Sequence, residues 1–225
     1  MQTAPIAAPI AAPIASQISA AVRAVPVPRF AGLALSFGRG TELYGEGEPA
    51  EQLYQVISGT VRTCRLLGDG RRQIESFHLP GDLFGLEAGP VRRLSAEAVT
   101  AVSVSMVRRS AARAAAVRDP DYADSLLTRV ERELERAQDH LVLLGCRSAP
   151  ERVAEFLIDL AERLGTRAGV ELPMPRQDIA DYLGLTIETV SRIFTQLEAS
   201  GAIRLDTARR VVFRDRAALA QLGRG

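Results

Sequence analysis

Lysine is absent: all 28 basic side chains of this chain are arginine. A lysine-dependent phosphate loop and a lysine Schiff base are therefore excluded. Cysteine and histidine are scarce, with only Cys64, Cys146, His78 and His140. One chain so composed supplies no four-cysteine zinc or iron–sulfur site and no multi-bridge disulfide scaffold. No uninterrupted apolar run reaches the ~18 residues that a membrane-spanning helix needs. Net charge is also nearly absent, at +1 from 28 basic and 27 acidic residues. That excludes a uniformly basic coat while leaving room for a local basic face. What remains is 225 residues, 47% of them hydrophobic, enough for one or two domains with real cores.

The N-terminal segment 1–28 opens with APIAAPIAAPIA over residues 4–15. Proline at every fourth position blocks helix and removes backbone donors, so an extended tail is expected. The first basic residue, Arg23, follows the apolar stretch, and the prolines interrupt it, which is the wrong arrangement for a secretory leader. A cytoplasmic protein with both thiols reduced is the expectation.

From Arg29 to Arg109 short apolar runs alternate with turn residues: Leu53–Ile57, Val61–Leu67, Ile74–Leu79 and Val99–Val107. Ser58-Gly59, Gly68-Asp69-Gly70 and Pro80-Gly81-Asp82 punctuate them, and Asp69-Gly70 between two such runs signals a hairpin. The pattern predicts a β-sandwich or small barrel. A cupin-type metal site needs several histidines, and His78 stands alone here. His78 reads as structural or partly exposed and Cys64 as a buried, inert thiol. Nothing in the spacing of Glu75, Asp82 and Glu87 separates them from solvated strand and turn residues. No catalytic residue, metal site or cofactor is predicted.

Between Asp121 and Leu144 there is neither glycine nor proline. Pro120 suits the first turn of a helix. Two heptad series, Leu127, Leu134, Leu141 and Val130, Ala137, Leu144, interleave into a narrow apolar seam. Arg129, Glu131, Arg132, Glu133, Glu135 and Arg136 make the charged outer face. A single amphipathic helix lying on its own barrel usually carries a wider stripe. A self-pairing helix and a homodimer are therefore expected, with Gly145 as the stop.

The remainder is the most informative. Pro150–Leu164 has helical spacing. Arg176–Leu183, the turn Gly184-Leu185-Thr186 and Ile187–Ala199 form a helix-turn-helix pattern. Ile179, Ala180, Leu183, Leu185, Val190, Ile193 and Leu197 are spaced to pack the two helices together. Ile203-Arg204-Leu205 and Val211-Val212-Phe213 flank Asp206–Arg210 as a hairpin wing. Glu188, Ser191 and Arg192 share one face of the second helix. Arginine can fork onto guanine, glutamate can accept from cytosine, and serine can reach base or phosphate. The bland alternative is a helical hairpin with a Glu188–Arg192 surface pair. With 12 arginines against 11 acidic residues from Arg147 onward, affinity for DNA has to come from placed arginines, not bulk charge.

Three stretches carry a resemblance: FHLPGDLFGLEAG (Phe77–Gly89), RRLSAEA (Arg92–Ala98) and RQDIADYLGLTIETVSR (Arg176–Arg192). From about residue 29 onward the chain resembles the Crp/Fnr family of transcription regulators, in its FixK-like branch. The resemblance implies an α+β architecture. It comprises a cyclic-nucleotide-binding-like β-roll (a double-stranded β-helix or jelly roll) over 29–118, a dimerisation helix over 119–145 and a winged helix-turn-helix over 146–225. It implies that Glu188, Ser191 and Arg192 read a TTGA-type half-site in an inverted pair of double-stranded DNA. Thr186, Ile187 and Thr189 join them as candidate contacts, with Arg176 and Gln177 at the head of the first helix and Arg209 and Arg210 on the wing. It further implies RNA polymerase as a partner and genes of low-oxygen (microaerobic) respiration or nitrogen fixation as targets. The chain departs from the iron–sulfur members in having no N-terminal cysteine. It departs from the cyclic-nucleotide-binding members because Gly85-Leu86-Glu87 is followed by Arg92-Arg93-Leu94-Ser95, which separates the arginine from the serine. An effector-free activator is the reading; a nucleotide- or haem-gated regulator on the same scaffold is the alternative.

Overall fold

The computed structural model describes residues 32–224, and for Arg224 the backbone alone. The Ala-Pro-Ile repeat lies outside the described residues.

Eight strands build the first unit: β1 (Leu33–Phe37), β2 (Glu42–Tyr44), β3 (Gln52–Ser58), β4 (Val61–Leu66), β5 (Arg72–His78), β6 (Leu83–Phe84), β7 (Ser95–Ala98) and β8 (Val102–Arg108). They form two antiparallel four-stranded sheets, ordered β1-β8-β3-β6 and β2-β7-β4-β5. The inner faces close on Tyr44, Tyr54, Val56, Val61, Phe84, Ala96, Ala98, Val102 and Val104. The predicted hairpin at Asp69-Gly70 joins β4 to β5, with Gly70 at φ +83°. Only glycine takes that left-handed conformation without steric cost.

Six helices follow or lie between the later strands. Helix α1 (Arg109–Arg118) continues directly from β8. It was not anticipated from the sequence; its RSAARAAAVR run is rich in alanine, the strongest helix former. Helix α2 (Pro120–Cys146) has 27 residues, about 40 Å at ~1.5 Å per residue. Asp119 caps it, accepting from the amides of Asp121 and Tyr122. Gly145 does not stop it. The helix runs through Gly145, and the chain turns out at Arg147, whose backbone is extended (φ −101°, ψ 143°). The stop is set by the next helix, whose Arg152 takes up the last carbonyls of α2, rather than by a left-handed glycine.

The last unit holds α3 (Ala149–Arg163), β9 (Gly169–Glu171), α4 (Arg176–Leu183), α5 (Ile187–Ala199), β10 (Ile203–Leu205), β11 (Arg210–Phe213) and α6 (Arg216–Arg224). β9 adds a third strand to the hairpin, in the order β10-β11-β9. Neither β9 nor α6 was legible in the sequence. α6 lies on α3, burying Leu219 and bringing Gly223 to where a Cβ would stand 3.2 Å from the Glu155 backbone.

The two units share one core. Cys64, Ile74, Phe77, Leu79 and Val99 of the β-roll belong to the same buried cluster as Phe156, Leu157, Ile179 and Leu183. Phe77, Phe156 and Tyr182 form an aromatic tripod with centroids 5.3 to 6.3 Å apart. His140 of α2 stacks on Tyr182 at 4.0 Å.

The charged residues of α2 are not all on an outer face as expected. Arg129 donates to the Gly81 carbonyl, and Arg136 pairs with Asp82 at 2.8 Å. Glu133 is half-buried beside them. This polar stripe, ending in His140 and buried Leu143, faces the protein's own body. The apolar stripe faces away: Leu134 is 58% and Leu141 72% exposed, with Leu127, Val130 and Ala137 also exposed and Leu144 half-buried.

Two of the three β-roll carboxylates also depart from the solvated expectation. Asp82 lies between Arg136 and Arg163, each at 2.8 Å, and they hold its carboxyl below the usual range against the opposing effect of burial. Glu87 pairs at 2.7 Å with Arg92, itself only 1% exposed.

Candidate nucleic-acid interface

The interface is built on α5. Its inner face carries Val190, Ile193, Phe194 and Leu197, all buried against Ile179, Ala180 and Leu183 of α4. The turn between the helices pivots on Gly184, at φ +64° and ψ +37°. A side chain there would be strained by the left-handed backbone rather than by crowding, since its nearest contacts lie at 3.7 Å. Thr186 caps α5, its hydroxyl accepting from the Thr189 amide at 3.2 Å.

With the apolar face packed inward, the opposite face points to solvent. Thr186, Ile187, Glu188, Ser191 and Arg192 are exposed, and Thr189 is half-buried. Hydrogen bonds from its own backbone amide and from the Thr186 hydroxyl hold the Glu188 carboxyl below the usual carboxylate range. It is therefore charged near neutrality, an acceptor at the positive end of a helix. The surface pair between Glu188 and Arg192 that the alternative reading called for is not formed among the described ion pairs; both side chains are exposed.

The other predicted contacts are placed differently. Arg176 lies over the Phe194 ring at 3.1 Å, on the inward side of α5 and away from Glu188, Ser191 and Arg192. Burial pushes its pKa down to about 10, and its Nη1 has no hydrogen-bond partner. Gln177 is exposed and donates to Asp181 at 2.7 Å. At the wing tip the Thr207 hydroxyl accepts from the amides of Arg209 and Arg210. Asp206 pairs with Arg204 at 2.8 Å and Arg210 at 3.6 Å. Glu198 of α5 accepts from the Leu205 amide at 2.9 Å, which ties the wing to α5.

Comparison with known proteins gives these surfaces a context. Residues 151–222 match the Crp-like helix-turn-helix domain, and residues 34–119 match the cyclic nucleotide-binding domain. The nitrogen fixation regulation protein FixK of Azorhizobium caulinodans is 53% identical over 191 residues, covering 83% of this chain and 77% of that protein. The chain belongs to the Crp/Fnr family of transcription regulators. FixK of Rhizobium meliloti is 45% identical over 179 residues, covering 80% of this chain and 82% of that protein. The solved structure of FixK2 from Bradyrhizobium japonicum superposes with a TM-score of 0.81 at 49% identity, covering 86% of this chain and 98% of that one. These relatives regulate transcription and are not enzymes, and so this Crp/Fnr chain is a regulator. No described helix is long and apolar enough to cross a membrane.

In this Crp/Fnr regulator the β-roll interior is occupied by its own side chains. The Arg92 guanidinium lies 4.1 Å from the Tyr44 ring centroid and donates to the carbonyls of Gln52 and Gly85 as well as to Glu87. Gly85, at φ +80°, leaves that space open: a Cβ there would stand 2.8 Å from Arg92 Nη1. His78 is buried, stacked on Phe84 at 5.0 Å, with its Nε2 against the Thr63 hydroxyl. Burial pushes its pKa down to about 4, so it is neutral near pH 7. Among the described residues no three or more His, Cys, Asp and Glu side chains gather into a metal-sized group.

Sequence reasoning missed a residue that holds this last unit together. Arg152 of α3 donates from Nε to Arg147, from Nη1 to Leu183 and from Nη2 to Leu144. It gathers the ends of α2 and α4 onto α3. Its only sequence signal is an arginine one turn into a helix, which is indistinguishable from a solvated one.

Proposed function

We propose that this regulator acts as a homodimer in the cytoplasm and reads an inverted repeat of TTGA-type half-sites in double-stranded DNA, without a small-molecule effector. The observation that carries the reading is the outward presentation of Glu188, Ser191 and Arg192 on a helix whose other face is fully packed. These side chains match the donor and acceptor pattern of base edges in the major groove. Dimerisation is supported by the exposed seam of α2, whose Leu127, Leu134 and Leu141 repeat every seven residues. The effector-free reading is supported by Arg92, whose buried guanidinium is already paired with Glu87 and lies over Tyr44. The names of the relatives support targets among genes of nitrogen fixation; low-oxygen metabolism, activation and RNA polymerase as the partner are part of the same proposal.

A gel shift on a TTGAT–N4–ATCAA duplex, with purified protein in air and no added ligand, tests the reading. Binding that is lost when the TTGA half is scrambled supports it. No binding until a nucleotide or haem is supplied replaces it with the ligand-gated reading, for which the match of residues 34–119 to a cyclic nucleotide-binding domain would be the starting point.

A further inference from the structure

Asp178 and Asp181 stand one turn apart on α4, the first helix of the reading head. A carboxylate in a helix's first turn commonly serves the helix dipole from solvent. Asp178 is instead only 2% exposed. Its two oxygens accept from Arg62 Nη1 of β4 and Arg72 Nη2 of β5, each at 2.5 Å. Asp181 accepts from Arg72 Nε at 2.9 Å and Nη2 at 2.7 Å. Arg62 is held in turn by Glu97 of β7. Beside this cluster the Gln73 amide reaches the Tyr182 carbonyl, and Phe77 packs on the Tyr182 ring.

Two strands of the β-roll thus grip the helix that precedes α5, and a third steadies Arg62 through Glu97. Hydrophobic packing alone resists separation but tolerates sliding, because it is non-directional. Forked guanidiniums do not tolerate it: each arginine is satisfied in one geometry. A small shift would leave Asp178 charged, buried and unpaired, the costly outcome for a buried ion. The cluster therefore selects one seating of the head on the β-roll.

We infer that Arg62, Asp178, Arg72 and Asp181 form a positioning clamp that fixes the spacing and phase at which the two recognition helices of a dimer meet their operator. The clamp supplies from within the fold the orientation that a bound effector would otherwise have to select. This inference rests on the dimeric DNA reading proposed above. Its consequence is separable from that reading, because a clamp governs the distance between half-sites and not the recognition of either one.

The experiment uses the full chain and three labelled duplexes: the N4 palindrome, the same palindrome with one base pair added to the spacer, and a single half-site. Fluorescence anisotropy at fixed salt gives the affinity for each. The variants are Asp178→Asn, which keeps the shape of the buried side chain, and Asp181→Ala, whose side chain is partly buried but lies outside the apolar core. The wild type is expected to prefer the N4 palindrome clearly over the longer spacer. Each variant is expected to lose that preference by about fivefold or more while binding the single half-site as the wild type does. Variants that keep the wild-type spacer preference overturn the clamp. Variants that lose half-site binding in equal measure also overturn it, because α4 would then be supporting recognition locally. A wild type that ignores the palindrome altogether overturns the DNA reading itself, and the clamp with it.

Discussion

The guanidinium of Arg152 donates to the carbonyl of Leu183 at 2.9 Å, across a junction where α2, α3 and α4 meet. The same fork reaches Leu144 at 2.8 Å and Arg147 at 2.9 Å. The carbonyls at the ends of α2 and α4 have no partner within their own helices, and one planar side chain serves both ends. Arg152→Ala is expected to cost about 2 kcal/mol, since charge-assisted hydrogen bonds contribute more than neutral ones. Arg152→Lys should rescue little, because an ammonium cannot span three diverging acceptors. Thermal unfolding measures both; a lysine variant that melts with the wild type would refute the role given to the fork.

Arg192 stands exposed one turn beyond Glu188 on α5. If it forks onto a guanine, Arg192→Ala loses roughly 1–3 kcal/mol on the cognate site and relaxes discrimination at a single base pair. Binding to each single-base variant of the half-site measures this. Uniform weakening across all sequences would reassign Arg192 to the phosphate backbone.

Leu134 is 58% exposed at the middle of the α2 seam. Leu134→Asp places two like charges at the centre of a paired helix, and a buried unpaired charge is strongly disfavoured. The variant is expected to sediment as a monomer and to lose the palindrome while keeping its secondary structure. A variant that remains dimeric would move the interface off this seam.

How much of this was legible follows the range of each interaction. The helix-turn-helix could be read from the sequence because its determinants are local: Gly184 for the turn, Thr186 for the cap, and apolar residues at helical spacing from Ile179 to Leu197. The narrow apolar stripe of α2 was legible for the same reason. The charged stripe beside it was misread because Arg129 and Arg136 find partners in the β-roll, some 50 residues away in sequence, at Gly81 and Asp82. Asp178 was opaque for that reason too: its partners Arg62 and Arg72 lie 116 and 106 residues upstream. Gly145 misled because glycine after an apolar series commonly ends a helix, whereas here the exit is imposed by Arg152 of the next helix.

The polar stripe of α2 also makes stability depend on pH. Burial and the neighbouring Asp82 carboxylate raise the Glu133 pKa to about 7, against the lowering effect of Arg136 and Arg163. His78 Nδ1 lies 3.9 Å from the same carboxyl. A carboxyl whose folded pKa exceeds its unfolded value of 4.5 favours the folded state at low pH. That contribution is lost as pH rises through about 7. His78 acts in the opposite direction. Its pKa, lowered to about 4, means that stability falls as pH drops below 6.5. His140, its pKa also lowered by burial, acts in the same direction, and both histidine effects fade above pH 6.5 and cancel when wild type and a Glu133 variant are compared. Glu133→Gln, which cannot ionise and leaves Arg136 paired with Asp82, should melt above the wild type at pH 8, and the gap should narrow toward pH 6.5. Melting curves of the two proteins that run parallel across that range would show that Glu133 does not titrate there.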